Sequence, residues 1–328
     1  MSRDSLQKKL EELRSLIEAE LRRLADGRLP DSFYEPVRYT LAGGGKRLRP
    51  ILVLLSAEAV GGKAQDALPC ALAVELMHNF TLVHDDIMDR DALRRGRPTV
   101  HVVWDQDTAI LAGDGLLALA YQQLFRNPPE RLARIGSLFS EGVLRICEGQ
   151  ALDKEFESRT EVSLQDYMEM IEKKTAQLFS VSCGLGALAG GGDERSVAAL
   201  SSYGKWLGLA FQIQDDLLDV LSPEQISGKP QASDIRRRKK TFLFVHALRT
   251  ASEAERQWLL RMYASERLPE DAVQRVIQLF ESLGAMEQAE TLVEDLLAKA
   301  RQELGSLPET EGVSHLRELT FALAGRRA

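Results

Sequence analysis

Two acidic pentads hold the most reactive chemistry in this chain. Asp85-Asp86-Ile87-Met88-Asp89 and Asp215-Asp216-Leu217-Leu218-Asp219 both follow the pattern DDxxD. In an α-helix the first and fifth residues stand one turn apart, so their carboxylates face the same way. Acids packed that closely repel one another and call for a cation. Hard oxygen ligands with room left for phosphate are what Mg²⁺ prefers. Two such clusters could hold metal ions around one diphosphate. A single DDxxD is most simply a solvated helix end; two copies, each after an apolar stretch, argue for a site. A calcium loop of the EF-hand type does not fit, because its turn glycine and closing glutamate are missing after Asp89-Arg90-Asp91.

The residues beneath each pentad support that reading. His78 falls within about 20° of Asp85 around a helix axis. His78, Thr81, Asp85 and Asp89 therefore form one stripe, with Leu72, Leu76, Val83 and Ile87 on the apolar side. Gly208, Gln212, Asp215 and Asp219 form the matching stripe below the second pentad. Solvated faces are mostly lysine and glutamate, whereas these stripes carry Thr, His, Gln and Gly. They read as the lining of a cavity.

Anion-binding cations are grouped around the acids. Gly43-Gly44-Gly45-Lys46-Arg47-Leu48-Arg49-Pro50 sets flexible backbone beside three basic side chains. Lysine would act there as a point charge and arginine as a fork. The order of residues is not that of a Walker A loop. Arg94-Arg95-Gly96 follows the first pentad closely, and Lys173-Lys174-Thr175 lies in a helical run. Lys229 and the run Arg236-Arg237-Arg238-Lys239-Lys240 follow the second pentad. Each group alone would be a solvated patch.

The elements that must position these residues are helical. Leu6, Leu10, Leu13, Ile17, Leu21 and Leu24 recur at helical spacing until Gly27 and Pro30. Ser252-Glu253-Ala254-Glu255 is a capping box. Glycine or proline clusters break the chain at 43–45, 61–62, 128–129, 190–192 and 223–230, and no alternating strands or hairpin signals are visible. Asp114, between Gly113 and Gly115, reads as a helix cap. The pentads lie 130 positions apart, so a shared ligand requires facing helices, as in a bundle core. The expectation is an all-α, single-domain antiparallel helix bundle around a central cavity, spanning residues 1–328.

Bulk composition narrows the partners. With 328 residues and 44% hydrophobic content, the chain can bury a large core. A net charge of -7 argues against nucleic acid. No apolar run approaches the ~18–20 residues of a membrane span, and the first residues lack the apolar core of a signal peptide. Cys70, Cys147 and Cys183 lie far apart and read as thiols of a reducing cytosol. A cytoplasmic location is expected.

Four segments now combine. GGGKRLRP (43–50), HDDIMDRDALRRGRPTVH (84–101), EKKTAQLF (172–179) and FQIQDDLLDV (211–220) occur in an order and spacing that resemble the trans-polyprenyl diphosphate synthases. Farnesyl and geranylgeranyl diphosphate synthases belong to that family. The resemblance implies a homodimeric prenyltransferase that condenses isopentenyl diphosphate with an allylic diphosphate, assisted by Mg²⁺. It assigns metal binding to Asp85, Asp89 and Asp215, with Asp86, Asp216 and Asp219 completing the acidic catalytic set. Arg94, Lys174, Thr175, Gln212, Lys229 and Lys239 would bind the allylic diphosphate, Lys174 and Lys229 also counting as catalytic. Lys46, Arg49, His78 and Arg95 would bind isopentenyl diphosphate. A class I terpene cyclase has no use for that second set, and a non-catalytic synthase subunit would be expected to lose acids that are all present here.

One departure stands out. Where the family reads Asp-Leu-x-Glu-Gly-Lys, this chain has Asp234-Ile235-Arg236-Arg237-Arg238-Lys239, which leaves Lys239 and Lys240 as alternatives for the last cation. Product length in the family depends on what blocks the cavity below the first pentad. Phe80, with Thr81 beside it, resembles the arrangement in short-to-medium synthases, and a C20 product is expected, with C15 or longer products as rivals. Phe80 stands about 140° from Asp85 on an ideal helix, so helix geometry alone leaves it either in the pocket or in the core.

Overall fold

The computed structural model of the chain describes residues 3–221, 232–265 and 268–324. Their regular structure is almost wholly α-helical. Contacts divide the chain into two units. The first comprises Met1–Val143, Leu178–Gly204 and Glu303–Leu319; the second comprises Leu144–Gln177, Lys205–Gln302 and Thr320–Ala328.

In the first unit, α1 (Arg3–Ala25) buries Leu13, Ile17 and Leu21, the leucine stripe read from the sequence. It ends at Gly27, whose φ of +63° favours a residue without Cβ. Next come α2 (Asp31–Leu41), the glycine loop and α3 (Leu48–Ala59). The long helix α4 (Ala64–Met88) carries the first pentad at its C-terminal end. Leu72 and Leu76 are fully buried, Val83 nearly so, and Ile87 is half-buried. The α4 helix packs chiefly on α6 (Gln106–Leu124) and α3. Asp105 caps α6 by accepting the Thr108 N–H at 2.7 Å. Asp114 therefore is not a cap: it lies mid-helix, with its carboxylate 3.8 Å from His84 Nε2.

Between α4 and α5 (Val100–Val103) the chain makes a small antiparallel ribbon, β1 (Leu93–Arg94) with β2 (Arg97–Pro98). No strand was expected here. Its two turn residues, Arg95 and Gly96, have φ of +51° and +72°, the signs of a type I′ hairpin turn. Arginine in the first of these positions hides the hairpin from the usual Asn-Gly or Asp-Gly signal.

The second unit takes the C-terminal part of α7 (Pro129–Ser158), α8 (Leu164–Ile171) and a π-helical turn at Glu172–Ala176. Lys173-Lys174-Thr175 thus lie in a widened turn, not in plain α-helix. Gly149 of α7 makes room for it, since a Cβ there would lie 2.3 Å from the Lys174 nitrogen. After α9 (Gln177–Ala189), α10 (Glu194–Leu221) carries the second pentad near its C-terminal end. Short α11 (Ser233–Arg236) and α12 (Phe242–Thr250) follow, and α12 packs on α8, α13 (Glu253–Ala264) and α14 (Glu270–Ser282). The expected capping box at Ser252 and Glu255 starts α13. Helices α15 (Ala285–Leu304) and α16 (Glu311–Ala324) complete the chain. Among the described residues no helix is long and apolar enough to cross a membrane.

Candidate active site

The first cluster grows from the end of α4. His78, Thr81, Asp85 and Asp89 are all half-buried. Asp86 is different. Only 5% exposed, it accepts the Arg94 Nε–H at 2.5 Å, while its backbone carbonyl accepts the Asp91 N–H at 2.9 Å. Burial pushes the Asp86 carboxyl up to about 6, and the Arg94 guanidinium opposes that rise. Asp86 thereby ties the ribbon to α4 and aims Arg94.

Arg95 lies at the tip of the ribbon and donates to the Gly44 carbonyl of the glycine loop. On α3, Arg49 Nη1 stands 3.3 Å from His78 Nε2, and its guanidinium lies 4.7 Å from the centre of the Phe179 ring. Burial, reinforced by Arg49 and then by Arg95, holds the His78 imidazole well below its ordinary range, so the ring is neutral near pH 7. Lys46 is exposed on the same loop. Lys46, Arg49, His78 and Arg95 therefore gather around one loop within the first unit. Arg47 departs from the expectation. Its φ of +50° turns it inward, where it pairs with buried Glu75 at 2.5 Å and donates to the Leu41 carbonyl at 2.8 Å. It anchors the loop instead of facing phosphate.

Phe80 is half-buried, with its ring edge-on to His84 at 4.8 Å. His84 in turn fills the space left by Gly113, where a Cβ would lie 2.3 Å from the imidazole. The Thr81 hydroxyl donates to the His78 carbonyl at 2.8 Å.

The second cluster is built around α10. Asp215 is exposed and Asp219 half-buried. Asp216, 4% exposed, accepts from the Tyr167 hydroxyl at 2.6 Å, Gln212 Nε2 at 2.8 Å and the Phe242 N–H at 3.1 Å. Burial still raises its carboxyl to about 6 against those donors. Asp219 accepts from the Ser233 hydroxyl and the Asp234 N–H at 2.8 and 2.9 Å. Gly208 is buried. The Thr175 hydroxyl donates to Gln212 Oε1 at 2.7 Å, joining the π-helical turn to the pentad.

Two acids missed in the sequence, Glu75 and Asp153, position cations. Glu75 holds Arg47. Asp153 lies 2.5 Å from Lys174 Nζ. Burial would raise the Asp153 carboxyl, but Lys174 and then Lys239 outweigh it and hold it below its ordinary range. Asp234 is pushed up to about 7 by burial, then by Asp219 and Asp216, with Lys239 opposing. One signal was available for Asp153: it stands one helical turn from Gly149, on the face that receives the π turn. The basic run is tied down at several points. Arg236 forms a bidentate pair with Glu270 at 2.5 and 2.7 Å, and Arg238 donates to the Ser265 carbonyl at 2.6 Å. Lys240 donates to the Phe156 carbonyl, which leaves Lys239 as the lysine beside Asp153 and Asp234. Arg238 has φ of +57° at the position where the family has glycine. Lys229 lies outside the described residues.

Among the described residues no three His, Cys, Asp or Glu side chains close into a ready-made metal cage. Asp85 and Asp89 are half-buried hard oxygen donors on α4, and Asp215 is an exposed one on α10. Carboxylate oxygens suit Mg²⁺, which is usually held by one or two carboxylates, with phosphate oxygens and water completing its shell.

An all-α chain with two aspartate pentads, each flanked by cations suited to phosphate, defines an isoprenoid synthase. The polyprenyl synthetase family signature matches residues 30–280. A short chain isoprenyl diphosphate synthase of Methanothermobacter thermautotrophicus is 44% identical over 283 residues, 86% of each chain. The geranylgeranyl pyrophosphate synthetase structure from Pyrococcus horikoshii superposes with a TM-score of 0.93 at 39% identity, covering 99% of each chain. A polyprenyl synthase from Caulobacter crescentus, solved with calcium and isoprenyl diphosphate, gives 0.88 at 30% identity over 98% of each chain. The chain belongs to the polyprenyl synthetase family and is a polyprenyl diphosphate synthase. The family uses a divalent metal to ionise diphosphate.

Proposed function

We propose that this enzyme adds isopentenyl diphosphate head to tail, in trans geometry, to an allylic diphosphate, and that its main product is geranylgeranyl diphosphate. The observation that carries this reading is the set Lys46, Arg49, His78 and Arg95, gathered at one loop beside the first pentad. A reaction with one diphosphate substrate has no use for it.

In this reading Arg94, Lys174, Thr175, Gln212, Lys229 and Lys239 grip the allylic diphosphate. Held by Asp85, Asp89 and Asp215, Mg²⁺ would supply charge neutralisation on the departing diphosphate oxygen. Asp86 keeps Arg94 in place, and Asp216 and Asp219 fix the chain around the second pentad. Lys46, Arg49, neutral His78 and Arg95 orient the second substrate so that its double bond attacks the allylic cation. The proton then lost goes to the released diphosphate, so no side-chain base is needed. Apolar surroundings keep water from the cation. The C20 length draws on the Pyrococcus relative's name and on Phe80 below the first pentad. We further propose a homodimer in the cytoplasm, with residues 1–328 acting as one catalytic domain.

The test is to incubate pure protein with Mg²⁺, labelled isopentenyl diphosphate and each of the C5, C10 and C15 allylic diphosphates, then size the products. A C20 prenyl diphosphate is expected. Cyclised hydrocarbon would point to a terpene cyclase, and the absence of any product to a non-catalytic subunit.

A further inference from the structure

The ribbon that carries Arg94 and Arg95 is also held from outside, by Tyr39. Tyr39, in the last turn of α2, donates its hydroxyl to the Pro98 carbonyl at 2.7 Å. The Arg97 guanidinium lies over the same ring, 4.1 Å from its centre. Trp104 packs edge-on against that ring at 5.3 Å. Tyr39 therefore grips both residues of β2 and is itself held in place. In the ribbon, Arg97 pairs with Arg94 and Pro98 with Leu93. The first strand has its own tether, since Arg94 is bonded to Asp86. The turn is tied through the Arg95 side chain to the Gly44 carbonyl. Tyr39 stands four residues before Gly43, so its grip on β2 fixes the ribbon against the segment that leads into the glycine loop.

We propose that Tyr39 and Arg97 form a latch that positions Arg95 for the diphosphate of the second substrate. They are positioning residues and need not touch substrate. This inference rests on the reading above, in which Arg95 is a diphosphate ligand. Because Arg94 keeps Asp86 when the latch opens, the allylic substrate should feel the loss less than isopentenyl diphosphate does.

The test uses the full chain with Tyr39→Leu, Arg97→Ala, the double variant, and the milder Tyr39→Phe and Arg97→Lys. Steady-state constants for both substrates are measured beside hydrogen exchange of the amides at 93–97. In Tyr39→Leu and Arg97→Ala, KM for isopentenyl diphosphate should rise about five- to tenfold, with kcat and the allylic KM held within about twofold. Exchange at 93–97 should quicken, and the double variant should be no worse than the larger single, because one latch breaks only once. Tyr39→Phe keeps the ring and should show about two- to threefold, which preserves the test if a larger change fails to fold. Unchanged exchange in folded variants overturns the latch. So do additive KM effects, which would make Arg97 an independent ligand. Faster exchange with unchanged KM also overturns it, provided Arg95→Ala raises KM. If Arg95→Ala leaves KM unchanged as well, what fails is the assignment of Arg95 itself.

Discussion

Lys174 Nζ stands 2.5 Å from Asp153 Oδ2, and both side chains are mostly shielded from water. A lysine with four rotatable bonds is thereby fixed beside the second pentad by an acid one helical turn from Gly149. The π-helical turn at Glu172–Ala176 delivers the lysine, and Gly149 admits the turn. Removing the acid leaves Lys174 and Lys239 facing each other's charge. Asp153→Ala should raise KM for the allylic diphosphate and cost about 1–3 kcal/mol of stability. Urea unfolding and allylic-substrate titration check both, and a KM unchanged beside a stable fold would show that Lys174 orders itself.

Asp216 is a brace whose cost depends on pH. Its folded carboxyl titrates at about 6, above the ordinary carboxylate range, so folding favours the protonated form. The stability it contributes is full below pH ~4 and falls as pH rises through about 6. Asp216→Asn keeps an oxygen for Tyr167 but cannot ionise. In metal-free buffer, its urea midpoint relative to the native chain should therefore move in favour of asparagine between pH 4 and pH 7. A parallel pair of curves would count against this account.

The Arg47–Glu75 pair is buried on both sides. Breaking it from one side strands a charge in the core at a cost of about 3–5 kcal/mol. Replacing both partners with apolar residues should cost much less. Glu75→Leu and Arg47→Met should each lower the thermal midpoint sharply, and the double variant should recover most of it.

Chelation provides the metal test. EDTA should abolish turnover and added Mg²⁺ restore it, while the helical circular-dichroism signal stays unchanged. Asp85→Ala and Asp215→Ala should each lower kcat at least about 10²-fold. Full activity in either variant would remove that residue from the metal set.

Phe80 sets the last expectation. Phe80→Ala should shift the product distribution to longer chains if its ring forms the floor below the first pentad. An unchanged distribution would assign the ring to packing against His84 alone.

Local chemistry made most of the plan legible. Helical periodicity gave α1 and the buried side of α4, because burial follows a 3.6-residue repeat wherever one face meets a core. Glycine and proline clusters marked the breaks. The pentads and the cations around the glycine loop were visible as spacing, since residues one turn apart on a helix share a face in any fold. Tertiary structure decided what spacing cannot encode. It turned Arg47 inward to Glu75, laid Arg95 on Gly44, set Asp153 under Lys174, and moved Asp114 from cap to helix interior. It also divided the work within each pentad, burying the second aspartate as a brace and leaving the first more exposed. Each of these depends on partners distant in sequence and on how deeply a charge is buried. A pattern of residue types fixes which groups can bind an ion; only the packed chain fixes which carboxylates are already engaged by arginine, tyrosine or backbone N–H.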